Sequence, residues 1–287
     1  MKGIDIAKWN PVTNYALVAQ QVDFAVLKII NKQNNEDALF ATHLNGCRAN
    51  NIPLFGVYNY SYAANTIKAI TDAQAVITAL KRHNLNTIVW LDVEEESIAR
   101  SLGSGLLDVI YAFKNTIEAA GYKFGIYTGL SFYNSHIKPY ISTSDIPMWI
   151  ARYPSSSPMT IKQNPNPDKK PDVPNIVAWQ YSSKGQISGI KGNVDLDISY
   201  VTYDELMNYH TSVAVNVKPI LKRGSRGEYV RAWQIYLNMH GYDVGKAGAD
   251  GIFGKDTEKA VYKYQKDHPE CGKPDGIIGP KTWASIK

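Results

Sequence analysis

The sequence predicts an α/β protein: a flattened, incomplete β/α barrel of five βα units and three further strands, followed by a small all-α domain of three helices. Three observations point there. Short β-branched and aromatic runs alternate with helical patterns through the first two-thirds of the 287 residues. Several of those runs are continuously apolar, as expected where helices cover a parallel sheet. From Leu221 onward the rhythm changes to amphipathic helices separated by a repeated turn. The length suits one large and one small domain, which divide here as 1–210, a linker over 211–219, and 220–287. A doubly wound open sheet is the competing arrangement.

The strands are expected, in order, at 2–7, 24–30, 53–60, 87–94 and 123–129, then at 148–153, 176–182 and 194–200. Between the third and fourth, Asn65 caps a helix whose apolar positions Ile67, Ile70, Ile77 and Leu80 are expected on one buried face. Between the fourth and fifth, Leu106, Ile110, Phe113 and Ile117 mark a helix that stops at Gly121. Residues 155–174 are rich in Pro, Ser, Asn and Lys and read as a long surface loop. Residues 204–210 are expected to form a last short helix.

In the C-terminal part, Val230, Trp233 and Leu237 mark one helix ending at Gly241, and Ala260, Val261 and Tyr264 a second ending before Pro269. A third short turn begins at Pro280, with Trp283 and Ile286 facing inward. Asp250-Gly251-Ile252-Phe253-Gly254 recurs as Asp275-Gly276-Ile277-Ile278-Gly279, a turn leading into a helix each time.

Composition narrows the function class. With 44% hydrophobic and 20% charged residues a sizeable core can form. No run approaches the roughly 18 apolar residues of a membrane span, so membrane insertion is not expected. The opening Met1-Lys2-Gly3-Ile4-Asp5 lacks the parts of a signal peptide, which points to synthesis in the cytoplasm. Cys47 and Cys271 lie in opposite halves and read as reduced thiols. The net charge of +5 concentrates in residues 221–287, with 12 Lys and Arg against 8 Asp and Glu, which suits an anionic polymer such as cell wall or nucleic acid.

The chemistry-bearing signal is Thr87-Ile88-Val89-Trp90-Leu91-Asp92-Val93-Glu94, an apolar strand ending in carboxylates two residues apart, which point to one side. Active sites of β/α barrels lie at the C-terminal strand ends. Burial and mutual repulsion there raise one pKa, keeping Glu94 protonated as a general acid. Asp5 and Asp195 likewise interrupt otherwise apolar strands, where an unpartnered carboxylate is costly. An acid plus a second carboxylate as nucleophile, base or electrostatic support is the equipment of glycoside hydrolysis. Tyr58, Tyr60, Tyr127, Trp149, Trp179 and Tyr181 gather at strand ends and read as sugar-stacking side chains. No His-Glu-x-x-His, Cys cluster, phosphate-cradling glycine loop or Gly-x-Ser-x-Gly elbow occurs, so neither metal nor cofactor is expected.

These residues resemble the glycoside hydrolase family 25 lysozymes, the muramidases of phage endolysins and bacterial autolysins. The resemblance covers residues 2–200 and rests on Gly3-Ile4-Asp5-Ile6, Trp90-Leu91-Asp92-Val93-Glu94, Trp149-Ile150-Ala151-Arg152-Tyr153, Trp179-Gln180-Tyr181-Ser182 and Gly192-Asn193-Val194-Asp195-Leu196. It implies cleavage of the β-1,4 bond between N-acetylmuramic acid and N-acetylglucosamine, with Glu94 as proton donor and Asp5, Asp92 and Asp195 as the other acids. Either an aspartate is the nucleophile, or the substrate's own N-acetyl group attacks while an aspartate steadies it. Two stretches depart from the family: Tyr58-Asn59-Tyr60, where a Tyr-His pair is common, and Asn31-Lys32-Gln33, where small or acidic residues are usual.

Residues 221–286 resemble the three-helix peptidoglycan-binding domain of wall hydrolases, through Gly224-Ser225-Arg226-Gly227, Gln234, Gln265 and the repeated Asp-Gly turns. The pairing implies bacterial peptidoglycan as partner and a phage or prophage endolysin released through a holin-type membrane lesion. The competing readings are a non-catalytic carbohydrate-binding protein on a hydrolase-like barrel, a chitinase-type glycosidase, and a nucleic-acid binder using the basic C-terminal part.

Overall fold

The computed structural model describes residues 1–139, 146–209 and 220–285. The expected linker, together with His210 and Ile286, lies outside them. The chain divides into two compact units, Met1–Ser212 and Val213–Lys287.

Among the described residues the first unit has nine strands: β1 (Lys2–Ile6), β2 (Phe24–Lys28), β3 (Leu54–Tyr60), β4 (Ile88–Asp92), β5 (Lys123–Gly129), β6 (Met148–Ala151), β7 (Met159–Thr160), β8 (Ile176–Gln186) and β9 (Val194–Ser199). Strands β1 to β6 run parallel in sequence order, β6 pairs in parallel with β8, and β9 lies antiparallel between β8 and β1. Eight strands therefore close a ring, and β7 is a two-residue addition paired to β8 inside the expected long loop. Closure removes the exposed edges that an open sheet would leave.

The helices are α1 (Tyr15–Ala19), α2 (Phe40–Ala49), α3 (Thr66–Arg82), α4 (Glu96–Leu102), α5 (Leu106–Ala119), α6 (Leu130–Phe132) and α7 (Tyr203–Met207). Asn65 caps α3 by accepting the Lys68 backbone N–H at 2.9 Å. On α3, Leu80 is buried and Ile70 and Ile77 pack partly buried against the core as expected, whereas Ile67 is 75% exposed and Ala69, Ala73 and Val76 complete the buried face. Small alanines form the inward stripe, allowing close approach to α5. In α5, Leu106, Ile110, Phe113 and Ile117 are all buried as expected, and Gly121 beyond its end takes a φ of 87°.

Two cores follow from strand alternation. One lies outside the ring, where Ile4, Leu27, Val57, Leu91 and Ile126 belong to one buried cluster with Val76 and Ile110. The other fills the interior with Phe24, Phe55, Trp90 and Trp149. The interior rings need glycine opposite them. A Cβ on Gly3 would sit 2.3 Å from the Phe24 ring, and one on Gly125 would sit 2.4 Å from the Trp90 ring. Helix α7, started by a Thr202–Glu205 capping box, adds Leu206 to the interior cluster, and Tyr203 bonds the Asn86 carbonyl just before β4. It thus lies at the end opposite the C-terminal strand ends.

The second unit holds α8 (Glu228–Met239), α9 (Lys255–Asp267) and α10 (Pro280–Ala284) around Val230, Trp233, Leu237, Phe253, Val261, Tyr264 and Trp283. Its sequence repeat is a structural repeat. Gln234 on α8 donates to Asp250, the Ile252 carbonyl and Thr257, while Gln265 on α9 donates to Asp275, the Ile277 carbonyl and Thr282. Each buried amide oxygen then accepts a backbone N–H of its Asp-Gly turn.

Candidate active site

Inward-facing residues near the C-terminal ends of the parallel strands enclose a cavity of about 210 Å³ lined by Asp5, Lys28, Tyr58, Tyr60, Asp92, Glu94, Tyr127, Trp149, Tyr153, Gln180 and Asp195. All four expected acids meet there. A larger cavity of about 470 Å³ lies against Gln21, Thr160, Lys162 and Gln186 and has no carboxylate in its lining.

Alternation explains the gathering. Asp5 on β1 is directly paired with Asp195 on β9, and Tyr60 on β3 with Asp92 on β4. Glu94 lies just past β4, on backbone held from both sides. The Asp92 carbonyl accepts the Ser61 N–H at 2.8 Å, the Val93 N–H donates to the Tyr127 carbonyl at 2.9 Å, and the Val93 carbonyl accepts the Thr128 hydroxyl at 2.6 Å. The loop carrying the expected acid is thereby tied to its two neighbouring strands.

A polar chain fixes Asp5. Gln180 Nε2 donates to Asp5 Oδ2 at 2.7 Å, and Gln180 Oε1 accepts the hydroxyls of Tyr127 at 2.8 Å and Tyr153 at 2.5 Å. Asp92 is as deeply buried as Asp5, yet its Oδ1 has no hydrogen-bond partner among the described residues. Lys28 is the cation in the lining, and its ammonium lies 5.4 Å from the Tyr58 ring centre and 5.6 Å from that of Tyr60.

Four carboxyl groups around one ammonium cannot all ionise at neutral pH. Burial pushes Asp5 well above the usual carboxylate range, and Asp195 adds to this. Asp92 is raised by burial and then by Glu94, with Lys28 opposing. Glu94 is raised by burial against the pull of Lys28. Asp195 is pushed up to about 6 by burial and by Glu94. The pocket can therefore present a protonated carboxylic acid beside a carboxylate, the pair that acid-assisted cleavage of an acetal requires.

Of the six expected aromatics, Tyr58, Tyr60, Tyr127 and Trp149 line the cavity, whereas Trp179 and Tyr181 do not. They point the other way from β8 and belong to the outer buried cluster, Trp179 donating its indole N–H to the Arg152 carbonyl at 2.8 Å. Strand alternation forces this outcome, because Gln180 between them faces inward. The sequence reading omitted Lys28, Tyr153 and Gln180 from the site. Lys28 is a charge in an apolar strand as Asp5, Asp92 and Asp195 are, and Gln180 is a polar residue in the apolar run Val177–Tyr181, so both carry a legible signal.

The family model for "Glycosyl hydrolases family 25" matches residues 4–190. The chain belongs to this family. It is a glycoside hydrolase and a lysozyme-type cell-wall enzyme, and a second model, "Putative peptidoglycan binding domain", matches residues 226–286. The autolytic lysozyme of Clostridium acetobutylicum is 24% identical over 273 residues, covering 92% of this chain and 72% of that protein. The catalytic domain of endolysin ply40 from bacteriophage P40 of Listeria monocytogenes superposes with a TM-score of 0.58 at 26% identity, covering 73% of this chain and 96% of that one. The spore cortex lytic enzyme SleM of Clostridium perfringens shares the fold, with a TM-score of 0.57 at 23% identity over 72% of this chain and 69% of that one.

Proposed function

We propose that this family 25 hydrolase is an N-acetylmuramidase that cleaves the β-1,4 bond between N-acetylmuramic acid and N-acetylglucosamine in bacterial peptidoglycan, with Glu94 as the acid. The observation that carries this reading is the meeting of Asp5, Asp92, Glu94 and Asp195 in one aromatic-lined cavity. Glu94, its pKa raised, protonates the leaving glycosidic oxygen. The sugar left behind develops positive charge, which the ionised members of the cluster stabilise. Asp92 is our choice for the aspartate that steadies the substrate's N-acetyl group as it attacks. Its buried, unpartnered Oδ1 is an acceptor without a donor, and an acetamide N–H would supply one. Tyr58, Tyr60, Tyr127 and Trp149 offer apolar edges and faces to the sugar rings.

In this reading residues 1–210 are the catalytic barrel, 211–219 a linker, and 220–287 a domain that holds the enzyme on the wall. The likeness to a phage endolysin domain supports an endolysin origin with holin-type release; a holin-like gene beside the coding sequence is the observation that tests it. The activity itself is tested by offering peptidoglycan and chitin side by side. Release of muropeptides from peptidoglycan alone supports a muramidase, and equal release of chitin oligosaccharides refutes it.

A further inference from the structure

Asp197 lies two residues beyond Asp195 on the inward face of β9, is fully buried, and has no task in the scheme above. A carboxyl in such a place is costly unless both oxygens are matched. Its Oδ1 accepts the Trp149 indole N–H at 2.8 Å. Its Oδ2 meets no N–H or hydroxyl donor among the described residues. The neighbouring carboxyl on the same inward face is that of Asp5, whose cross-strand partner Asp195 is two residues away on β9, and it lies close enough to bear on the protonation of Asp197. Across the sheet Asp197 is paired with Gly3 on β1, which has no side chain, and with Gln180 on β8, whose amide is committed to Asp5 and two tyrosines. The polar groups around it are thus Asp5, Asp195, Trp149 and Gln180, with no cation among them. Two carboxylates repel one another, and two carboxyl groups hydrogen-bond only through a proton that one of them holds.

We infer that Asp197 is a protonated positioning residue, a carboxylic acid whose O–H donates to Asp5 while its other oxygen accepts the Trp149 indole. The proton belongs on Asp197 because Asp5 already accepts Gln180 and is 5% exposed, whereas Asp197 is at 0%. Burial and the neighbouring acids likewise hold Asp197 well above the usual carboxylate range. Asp5 then has two donors, Gln180 and Asp197, that fix its orientation and favour its anion opposite the cationic transition state. This deepens the muramidase reading and rests on Asp5 being one of its working acids.

Two substitutions separate the proton from the shape. Asp197→Asn keeps one donor for Asp5 and one acceptor for Trp149, whereas Asp197→Ala removes both. The expected kcat of the Asn variant on soluble peptidoglycan fragments is within about threefold of wild type, with an unchanged pH profile, because a neutral amide replaces a neutral acid. The Ala variant is expected to lose about 10- to 100-fold in kcat at similar KM. The acid limb of its profile should move to higher pH, since Asp5 loses a donor that favours its anion. An infrared difference spectrum, wild type minus Asn variant at neutral pH, should show the carbonyl stretch of a protonated, D2O-sensitive carboxylic acid, whether or not the protein cleaves the substrate. Equal losses in both variants, or the absence of that band, would overturn the inference. A wild type that shows the band but releases no muropeptides would instead count against the muramidase reading alone.

Discussion

Asp5 and Gln180 stand 175 residues apart in the chain and are joined by a 2.7 Å hydrogen bond inside the barrel. The bond ties the first strand to the eighth and commits one oxygen of a pocket acid to a fixed direction. The same amide carries the hydroxyls of Tyr127 and Tyr153, so three elements of the site depend on one side chain.

Gln180→Ala is therefore expected to lower kcat by about 10- to 100-fold, since the acid loses its orientation. Leaving two phenols and a carboxyl unmatched should also destabilise the fold by about 1–3 kcal/mol. Urea denaturation and steady-state kinetics read the two effects separately. Gln180→Glu should be worse in activity, because it adds a carboxyl to a cluster already short of cations.

The acids also set a pH dependence of stability. Asp195 ionises at about 6 in the folded protein against an ordinary value of 3.8, so the folded state holds the proton more tightly than the unfolded chain. That contribution is fully present below about 4 and is lost as the pH rises through about 6. Asp195→Asn, which cannot ionise, should raise the melting temperature by about 2–6 °C at pH 8 and by much less at pH 4. Thermal denaturation at the two pH values checks the sign, and a larger gain at pH 4 would contradict it.

The interior leaves no room for an added methyl group at Gly3 or Gly125. Gly125→Ala brings a Cβ to 2.4 Å from the Trp90 ring, and should cost about 1–3 kcal/mol or more through overpacking. Trp90→Phe introduced alongside should recover part of the loss. A double variant no more stable than the single one would argue against that contact as the cause.

Deleting residues 221–287 is expected to leave cleavage of soluble fragments intact and to weaken lysis of whole walls, because tethering raises the local concentration of the enzyme. Turbidity clearance by the full-length and shortened proteins makes the comparison. Within that unit, Gln234→Ala and Gln265→Ala should be similarly destabilising, since each amide closes an equivalent network on its own turn.

Much of this architecture was legible because strands with one fixed environment leave a strong pattern. The eight ring strands lie where continuous apolar runs place them, and Asp5, Asp92 and Asp195 stood out as charges inside such runs. Which face a side chain takes is less legible than where its strand lies. By position at a strand end Trp179 and Tyr181 read as sugar-binding aromatics, but side-chain alternation allows only one parity to face the cavity, and Gln180 takes it. On α3, Ile70, Ile77 and Leu80 lie on the packed face, but Ile67 is exposed because Ala69, Ala73 and Val76 fill that face instead. Helices α1 and α2, implied by the five βα units, have bounds that no local pattern marks. The first has five residues, and the second buries His43 and Cys47 among its apolar positions, which blurs its periodicity. The placing of Asp197 beside Asp5 brings together side chains far apart in sequence and depends on strand register, which no local pattern encodes.

The most direct measurement digests purified peptidoglycan with the full-length protein and with Glu94→Gln, reduces the products with borohydride, and identifies the new ends by mass spectrometry. The expected result is new reducing ends on N-acetylmuramic acid, formed about a hundredfold or more slowly by the variant. Reducing ends on N-acetylglucosamine, freed peptides, or a Glu94→Gln protein as active as wild type would contradict the assignment.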